Sequence, residues 1–393
     1  MPLMRFMDDY RKSRQAALAN AVLAFLLASL VCLFLYFGKF EGNITGFFRI
    51  GSVLPLSPLL QPETTRIWPD ELGYDGQQFL SISLDPFLTQ PGTIAALDQP
   101  SYRYRRILYP LLGYFLGLGN PCWIPYGLVG LNILAITAFI FLLTRSLQIQ
   151  DQSPENGLWG LAIPGVWMVL SLSTADLWAS VLALAALLSF QSRRPWGMGW
   201  ALALGLLTRE TLLLVWLALV IASVRSQRRE HFLPLGLALL PFLLWNAWII
   251  YLSLPGASGT GNFTWPVGGL LAKGEALLQN GLTLGNLYEA YSFSILGLTL
   301  AWGLRNSLCP RPQINALTLT FWSYAGLGAV ASFYILNYYL NYSRVFLDLY
   351  WLFLLLPCFR PSMISLDSRP GMLKNLLCLG WGLASLAFIL LQS

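Results

Sequence analysis

The stretch AALANAVLAFLLASLVCLFLYFG, residues 16–38, contains no charged residue and follows a basic segment that ends at Arg14. About 20 predominantly apolar residues are enough for an α-helix to cross the hydrocarbon core of a bilayer. The stretch is longer than the apolar core of a signal peptide, and no small-residue cleavage site follows it. It therefore predicts a retained membrane-spanning helix.

The rest of the chain repeats this pattern. Of its 393 residues, 56% are hydrophobic and only 11% are charged, whereas soluble domains are about one quarter charged. We predict an all-α polytopic membrane protein that forms a single integral membrane domain over residues 1–393. About eleven transmembrane helices are expected, near residues 16–38, 123–143, 157–173, 175–190, 197–208, 211–225, 232–252, 287–304, 315–335, 345–359 and 373–391.

The run at 105–119, RRILYPLLGYFLGLG, is the ambiguous one because it is short and contains Pro110. If it spanned the membrane, the basic stretches at 192–195 and 225–230 would lie opposite the basic N-terminus. If it is interfacial or re-entrant, most Lys and Arg residues share one face, as the positive-inside rule requires. We therefore expect a cytoplasmic N-terminus and an external C-terminus. The inner face then carries Arg145, Arg193, Arg194, Arg225, Arg228, Arg229, Arg305, Arg311, Arg360, Arg369 and Lys374.

Histidine and cysteine chemistry is sparse in this sequence. The single histidine, His231, lies in a basic stretch and is expected to be a solvated loop residue. The five cysteines are scattered and show no disulfide framework or metal spacing: Cys32, Cys122, Cys309, Cys358 and Cys378.

This topology leaves two long outer loops, 39–122 and 253–286, and exposes two polar helix breaks on the same face. These breaks, SLSTADLW and LLTRETLL, carry Asp176, Arg209 and Glu210. Short helical hairpins with polar tips predict a cavity that opens outward and holds charge below the bilayer surface. The alternative is a structural ion pair, Arg209 with Asp176 or Glu210, that ties the tips together.

The first outer loop contains DELGYDGQQFLSISLDP, residues 70–86, with acids at Asp70, Glu71 and Asp75. The glycines favour a turn, and an interfacial helix follows. A carboxylate whose pKa is raised by partial burial can serve as a general base for a hydroxyl nucleophile. Tyr74 and Gln78 flank Asp75 as candidate substrate contacts. The alternative is that Asp75 only caps the helix.

Two arginine-containing stretches complete the candidate site. In SYRYRRILYP, residues 101–110, tyrosines alternate with Arg103, Arg105 and Arg106. Arginine forks match phosphate oxygens, although this segment can equally be an interfacial anchor bound to lipid head groups. In YYLNYSRVFLDLYWLF, residues 338–353, Arg344 is either a second phosphate ligand or the partner of Asp348 in a local i,i+4 pair.

The stretch GYDGQQFLSISLDP, in a large outer loop after one span, resembles the first-loop motif of GPI-type mannosyltransferases and their bacterial relatives in the GT-C superfamily. RYRRILYPLL and LLTRETLLL are similar to patterns in bacterial proteins of this kind. The resemblance implies a polyprenyl-phosphate-sugar donor, an outward-facing active site and inversion at the sugar. It places Asp75 in the catalytic carboxylate position. The paired acids Asp70 and Glu71 stand five residues before the Asp-Gly element, so either acid group can be the base.

The resemblance also implies phosphate-binding arginines among Arg103, Arg106, Arg209 and Arg344. We expect transfer of a hexose or pentose from the carrier to a glycolipid, glycopolymer or protein acceptor. The partners are then membrane lipids and the lipid-linked sugar, and no nucleic acid. No cofactor beyond the donor is expected, no dedicated metal ligands are seen, and a divalent metal stays open. The rivals are a flippase for lipid-linked saccharides, which more often has repeated halves, and a non-catalytic scaffold of a polymer-assembly complex.

Overall fold

The computed structural model describes residues 2–256, 260–308, 314–356 and 369–391. Cys309, Cys358, Arg311 and Arg360 lie outside the described residues. So do the last residues of the expected 345–359 span and residues 257–259 of the second outer loop.

The described chain is predominantly helical. A two-residue parallel strand pair, β1 (Ile50–Gly51) with β2 (Ile67–Trp68), lies in the first outer loop. The helices are α1 (Pro2–Phe34), α2 (Asp75–Leu84), α3 (Pro100–Tyr104), α4 (Leu108–Leu116), α5 (Ile124–Ile149), α6 (Pro164–Leu172), α7 (Asp176–Gln191), α8 (Pro195–Thr208), α9 (Leu212–Arg225), α10 (Phe232–Tyr251), α11 (Gly268–Gln279), α12 (Leu284–Leu308), α13 (Ala316–Val330), α14 (Phe333–Leu336), α15 (Tyr339–Val345), α16 (Leu347–Leu355) and α17 (Arg369–Leu391).

Four helical stretches of the described chain are long and apolar enough to cross a membrane: Arg14–Lys39, Ile124–Ile149, Arg229–Tyr251 and Met372–Leu390. Three shorter apolar helices are Asp176–Gln191, Leu212–Arg225 and Ala316–Val330. Apolar helices of membrane-spanning length are therefore present, but the expected eleven transmembrane helices are not confirmed.

Several expected spans are interrupted. The run 157–173 divides into a 3₁₀ segment, Pro154–Ala162, and α6, which begins at Pro164, since proline suits the first turn of a helix but not its interior.

The run 105–119 forms only the nine-residue helix α4. At 1.5 Å per residue that helix is about 14 Å long, roughly half the hydrocarbon thickness, so this run is not a spanning helix.

Burial separates an inner helix from peripheral ones. Every residue of α16 is buried, as expected for a helix that is apolar on all sides. By contrast, only 22% of the apolar window is buried in each of Arg14–Lys39 and Arg229–Tyr251. Leu26 and Leu30 on α1 are 59% and 64% exposed. Such continuous apolar surface suits contact with lipid.

The turns that join the central helices define two ends of the molecule. α7 begins and α8 ends at one end, and the first outer loop contacts this end through Gly76, which lies against the C-terminus of α6. At the opposite end, Arg228 Nη1 donates to the Phe190 carbonyl oxygen at 2.9 Å, which joins the α7–α8 and α9–α10 turns. We call these the site end and the basic end.

The prediction that His231 is a solvated loop residue is wrong. Its side chain is completely buried at the basic end. The imidazole lies against the Phe190 ring with centroids 4.9 Å apart, and its Nδ1 is 3.3 Å from Ser223 Oγ. The basic stretch folds back so that Arg228 covers Phe190, and this packing removes the histidine from solvent.

Candidate active site

The turn before α2 fixes the position of Asp75. Gly73 has φ +82°, a conformation that favours glycine, and Tyr74 is the N-cap residue without a side-chain cap bond. Asp75 is thus the first residue of the helix rather than its cap. A Cβ on Gly76 would lie 2.1 Å from the Leu172 carbonyl oxygen, so only glycine lets α2 approach the end of α6 this closely.

Both carboxylate oxygens of Asp75 accept hydrogen bonds from arginines. Arg103 Nη1 donates to Oδ1 at 2.7 Å, and Arg344 Nη1 donates to Oδ2 at 2.6 Å. Arg344 comes from α15, 269 residues further along the chain. The capping alternative is therefore wrong, because the carboxylate is used to join α2, α3 and α15.

The Asp75 contacts belong to a longer line of alternating charges, which we call the ion chain. Arg103 also donates to Asp98 through Nε and Nη2, at 2.8 and 2.7 Å. Arg344 Nη1 also donates to Asp176 at 2.9 Å, and Asp176 lies 2.6 Å from Arg209 Nη1. In order, the ion chain consists of Asp98, Arg103, Asp75, Arg344, Asp176 and Arg209.

A separate ion pair borders the ion chain. Arg106 donates to both oxygens of Glu210, at 3.0 and 2.6 Å, and its guanidinium lies 4.6 Å from the centre of the Tyr102 ring. Burial alone would raise the pKa of the Glu210 carboxyl. The adjacent Arg106 charge outweighs burial and lowers that pKa to about 2, so Glu210 stays ionised.

The ion chain also sets the basicity of Asp75. Burial alone would raise the pKa of this carboxyl, but the positive charges of Arg103 and Arg344 outweigh burial. Its pKa is therefore held well below the usual range. The prediction of a raised pKa is wrong for this arrangement, since two adjacent arginines stabilise the ionised form. Asp75 is here a charged but weakly basic group.

A cavity of about 900 Å³ lies over these charges, in the range of small-molecule sites. Its charged lining comes from the predicted site residues Asp75, Arg103, Arg106, Arg209, Glu210 and Arg344, together with Asp98. Amide and hydroxyl side chains supply the rest of the polar lining: Tyr74, Gln78, Gln99, Tyr102, Thr211, Asn262, Tyr334, Asn337 and Asn341. Phe263 adds an aromatic ring to the lining. Phe263 belongs to the second outer loop, which therefore forms part of the wall. Asp176 lies behind this lining and reaches the site through Arg209 and Arg344.

Compared with protein-family models, curated proteins and solved structures, the chain matches none of them.

Three predicted site residues lie elsewhere. Glu71 accepts two hydrogen bonds from Arg49, at 2.8 and 3.0 Å, outside the cavity. Asp70 is exposed, and its backbone nitrogen donates to Ser52 Oγ at 2.9 Å. Arg105 does not line the cavity, and its buried Nε has no hydrogen-bond acceptor. The structure thus brings one of the three candidate acids, Asp75, to the arginines.

The local pair between Arg344 and Asp348, one of the two predicted alternatives for Arg344, is not formed. The helix breaks at Phe346, which has φ −100° and ψ 20°, so Arg344 in α15 and Asp348 in α16 do not share a helix face. Asp348 instead accepts from Ser180 Oγ at 2.5 Å and from Trp351 Nε1 at 2.8 Å.

The cavity residues that the sequence reasoning missed include Asp98 and Asn341. Asp98 accepts hydrogen bonds from Arg103. The only sequence feature that could have identified Asp98 is its position shortly before the Arg-Tyr stretch. Asn341 Oδ1 accepts a hydrogen bond from the Tyr74 hydroxyl at 2.5 Å. The Asn-Tyr-Ser triplet at 341–343 reads as a glycosylation site, but its Ser343 is only 1% exposed. Among the residues that the structure describes, no cluster of three or more His, Cys, Asp or Glu suits a metal ion.

Proposed function

We propose that this protein is a GT-C-type membrane glycosyltransferase that moves a sugar from a polyprenyl phosphate to a hydroxyl acceptor. The observation that carries the proposal is Asp75 between Arg103 and Arg344 on the wall of one large cavity. A base for the acceptor and cations for the phosphate are the two requirements of this reaction.

The proposed reaction is a displacement at the anomeric carbon. The acceptor hydroxyl oxygen forms a bond to that carbon, and its proton passes to Asp75. The bond between the anomeric carbon and the phosphate oxygen breaks, so the phosphodiester monoanion leaves as a phosphomonoester dianion. The extra negative charge on the leaving group is stabilised by the arginines.

The remaining cavity residues suit the sugar. Tyr74 and Tyr334 offer aromatic surface, and the side-chain amides of Gln78 and Asn341 offer hydrogen bonds to hydroxyls. Arg106 and Glu210 border the same space. We assign Gln78 and Asn341 to orientation of the sugar, and Arg103, Arg209 and Arg344 to the phosphate.

The membrane arrangement is part of the proposal. We infer that the lipid tail reaches the cavity from the side, between the apolar helices. We infer about eleven spanning segments with interfacial helices in the first outer loop. The N-terminus is then cytoplasmic and the site end external, in a prokaryotic cytoplasmic membrane. The acceptor is a glycolipid, glycopolymer or protein on that side.

The reaction class is tested with the purified protein in lipid nanodiscs. A panel of polyprenyl-phosphate hexoses and pentoses is added, and mass spectrometry follows the loss of each donor and the appearance of free polyprenyl phosphate. We expect one donor to be consumed, with its sugar recovered on a co-purified or added glycolipid. If lipid-linked sugars move between leaflets of proteoliposomes without cleavage, the protein is a flippase and the proposal is wrong. If no donor is bound, it is a scaffold.

A further inference from the structure

We propose that the ion chain locks Asp75 in the resting protein and that the phosphate of the bound donor releases it by competing for Arg344. This inference rests on the proposed function and deepens it. It makes the base available only when the donor is present, so that the donor binds before the acceptor is activated.

The first step of the argument is the charge balance. The ion chain contains three carboxylates, Asp98, Asp75 and Asp176, and three guanidiniums, Arg103, Arg344 and Arg209. The adjoining pair of Arg106 and Glu210 is balanced as well. Each of these guanidiniums is therefore already paired with a carboxylate, and an incoming phosphate gains an unpaired cation only when a carboxylate gives one up.

The second step compares how many N–H groups of Arg103 and Arg344 already donate to carboxylates. Arg103 is the more heavily engaged of the two, because its Nε and both terminal nitrogens each donate to Asp98 or Asp75, which uses three of the five N–H groups of a guanidinium. Arg344 contacts both of its carboxylates through Nη1 alone, and its buried Nε has no acceptor. A phosphate offers several acceptor oxygens and binds a guanidinium fork in two places. Arg344 therefore gains more from a phosphate than Arg103 does.

The third step identifies which carboxylate, Asp75 or Asp176, loses its contact with Arg344. Asp176 is 4% exposed, also contacts Arg209, and accepts from Thr174 Oγ1 at 2.8 Å. Asp75 lines the cavity, and its side chain is 14% exposed. A ligand in the cavity thus reaches the contact between Arg344 and Asp75 and leaves the contact between Arg344 and Asp176 intact.

The consequence concerns proton transfer. Arg103 and Arg344 stabilise the ionised form of Asp75, and its carboxylate is therefore a poor base. Once the phosphate binds Arg344 in place of Asp75, one carboxylate oxygen of Asp75 is free to accept a hydrogen bond from the acceptor hydroxyl. The loss of a positive neighbour raises the pKa of Asp75, so the carboxylate takes the hydroxyl proton as the new glycosidic bond forms.

The test is the affinity for farnesyl monophosphate, measured by isothermal titration calorimetry with the full-length protein in nanodiscs. Asp75→Asn removes the competing charge, so we expect it to tighten binding by about tenfold, a usual size for coupling between competing ligands. The control is Glu63→Gln, which removes an exposed acid of the same loop and should bind as the wild type does. Unchanged or weaker binding by Asp75→Asn overturns the lock.

A second measurement uses the wild type alone and does not depend on the stability of a variant. Carbodiimide labelling of carboxyl groups, read by mass spectrometry, is compared with and without saturating inorganic phosphate. Release predicts a several-fold rise in Asp75 labelling, while Glu71, paired with Arg49 outside the cavity, stays constant. Unchanged or reduced Asp75 labelling overturns the inference. The proposed function fails separately, if the wild type binds no farnesyl phosphate and consumes no donor.

Discussion

At the scale of single residues, Arg344 lies near the middle of the ion chain, between Asp75 and Asp176. Its Nη1 contacts carboxylates from two different helices, α2 and α7. Sequence reasoning can mark Arg344, Asp75 and Asp176 individually, because charges within an apolar chain are conspicuous. It cannot pair them, since the partners lie 168 and 269 residues apart and only the packed helices bring them together.

Truncation of Arg344 tests this role. Arg344→Ala leaves Asp75 and Asp176 each without one partner, and breaking a buried pair costs about 3–5 kcal/mol. We expect a clear fall in the thermal unfolding midpoint of the detergent-purified protein and a smaller fall for Arg344→Lys. Arg194→Ala, which removes an exposed arginine at the basic end, is the matched control and should unfold as the wild type does. Equal midpoints for Arg344→Ala and the control would show that the ion chain is not structurally important.

The pair of Arg106 and Glu210 gives a pH dependence. The pKa of Glu210 is lowered to about 2, so the unfolded chain binds a proton more readily than the folded one. The contribution of the pair to stability is therefore full above the ordinary glutamate pKa and is lost as pH falls towards about 2. We expect the unfolding midpoint of Glu210→Gln to vary less with pH than that of the wild type below pH of about 4.5. Parallel pH profiles for the two proteins would contradict the assignment.

At the scale of elements, short and broken helices build the site. α2, α3 and α15 are 10, 5 and 7 residues long, and each carries one member of the ion chain. The sequence predicted the turn into α2 from its glycines. The break between α15 and α16 escaped prediction because the apolar run continues through Phe346 without a proline or glycine.

The fit of α2 against α6 is tested at Gly76. Gly76→Ala places a Cβ 2.1 Å from the Leu172 carbonyl oxygen, which must push α2 and Asp75 away from the arginines. We expect a lower unfolding midpoint and strongly reduced donor turnover. The control is Gly130→Ala in α5, where no other atom lies within 4 Å. There the alanine should raise helix stability by about 0.5–1 kcal/mol. Wild-type behaviour of Gly76→Ala would contradict the close approach.

At the scale of the whole molecule, the chain separates a site end from a basic end. The charge pattern predicts that the arginine-rich turns of the basic end share one side of the membrane, because arginines in short loops mark that side; this orientation stays a prediction. The number of spanning helices was not predictable in the same way. The apolar runs 157–173 and 345–359 are predicted as spans, but the described residues of each form shorter, interrupted helices.

The orientation of the two ends is tested by cysteine labelling in intact cells, on a background without the native cysteines. Arg193→Cys marks the basic end, and Glu63→Cys marks the first outer loop. Both positions are exposed. A membrane-impermeant maleimide should label Glu63→Cys in intact cells and Arg193→Cys only after permeabilisation. Labelling of both in intact cells would overturn the topology.

The central claim is that Asp75 is the base in a cavity built for a lipid-phosphate sugar. The most direct measurement is donor turnover by wild type, Asp75→Asn and Glu71→Gln in nanodiscs, with the donor identified by the panel. The account predicts a fall of about 10²–10⁴-fold for Asp75→Asn, the usual contribution of a general base, and near wild-type turnover for Glu71→Gln. Unchanged turnover by Asp75→Asn would contradict it.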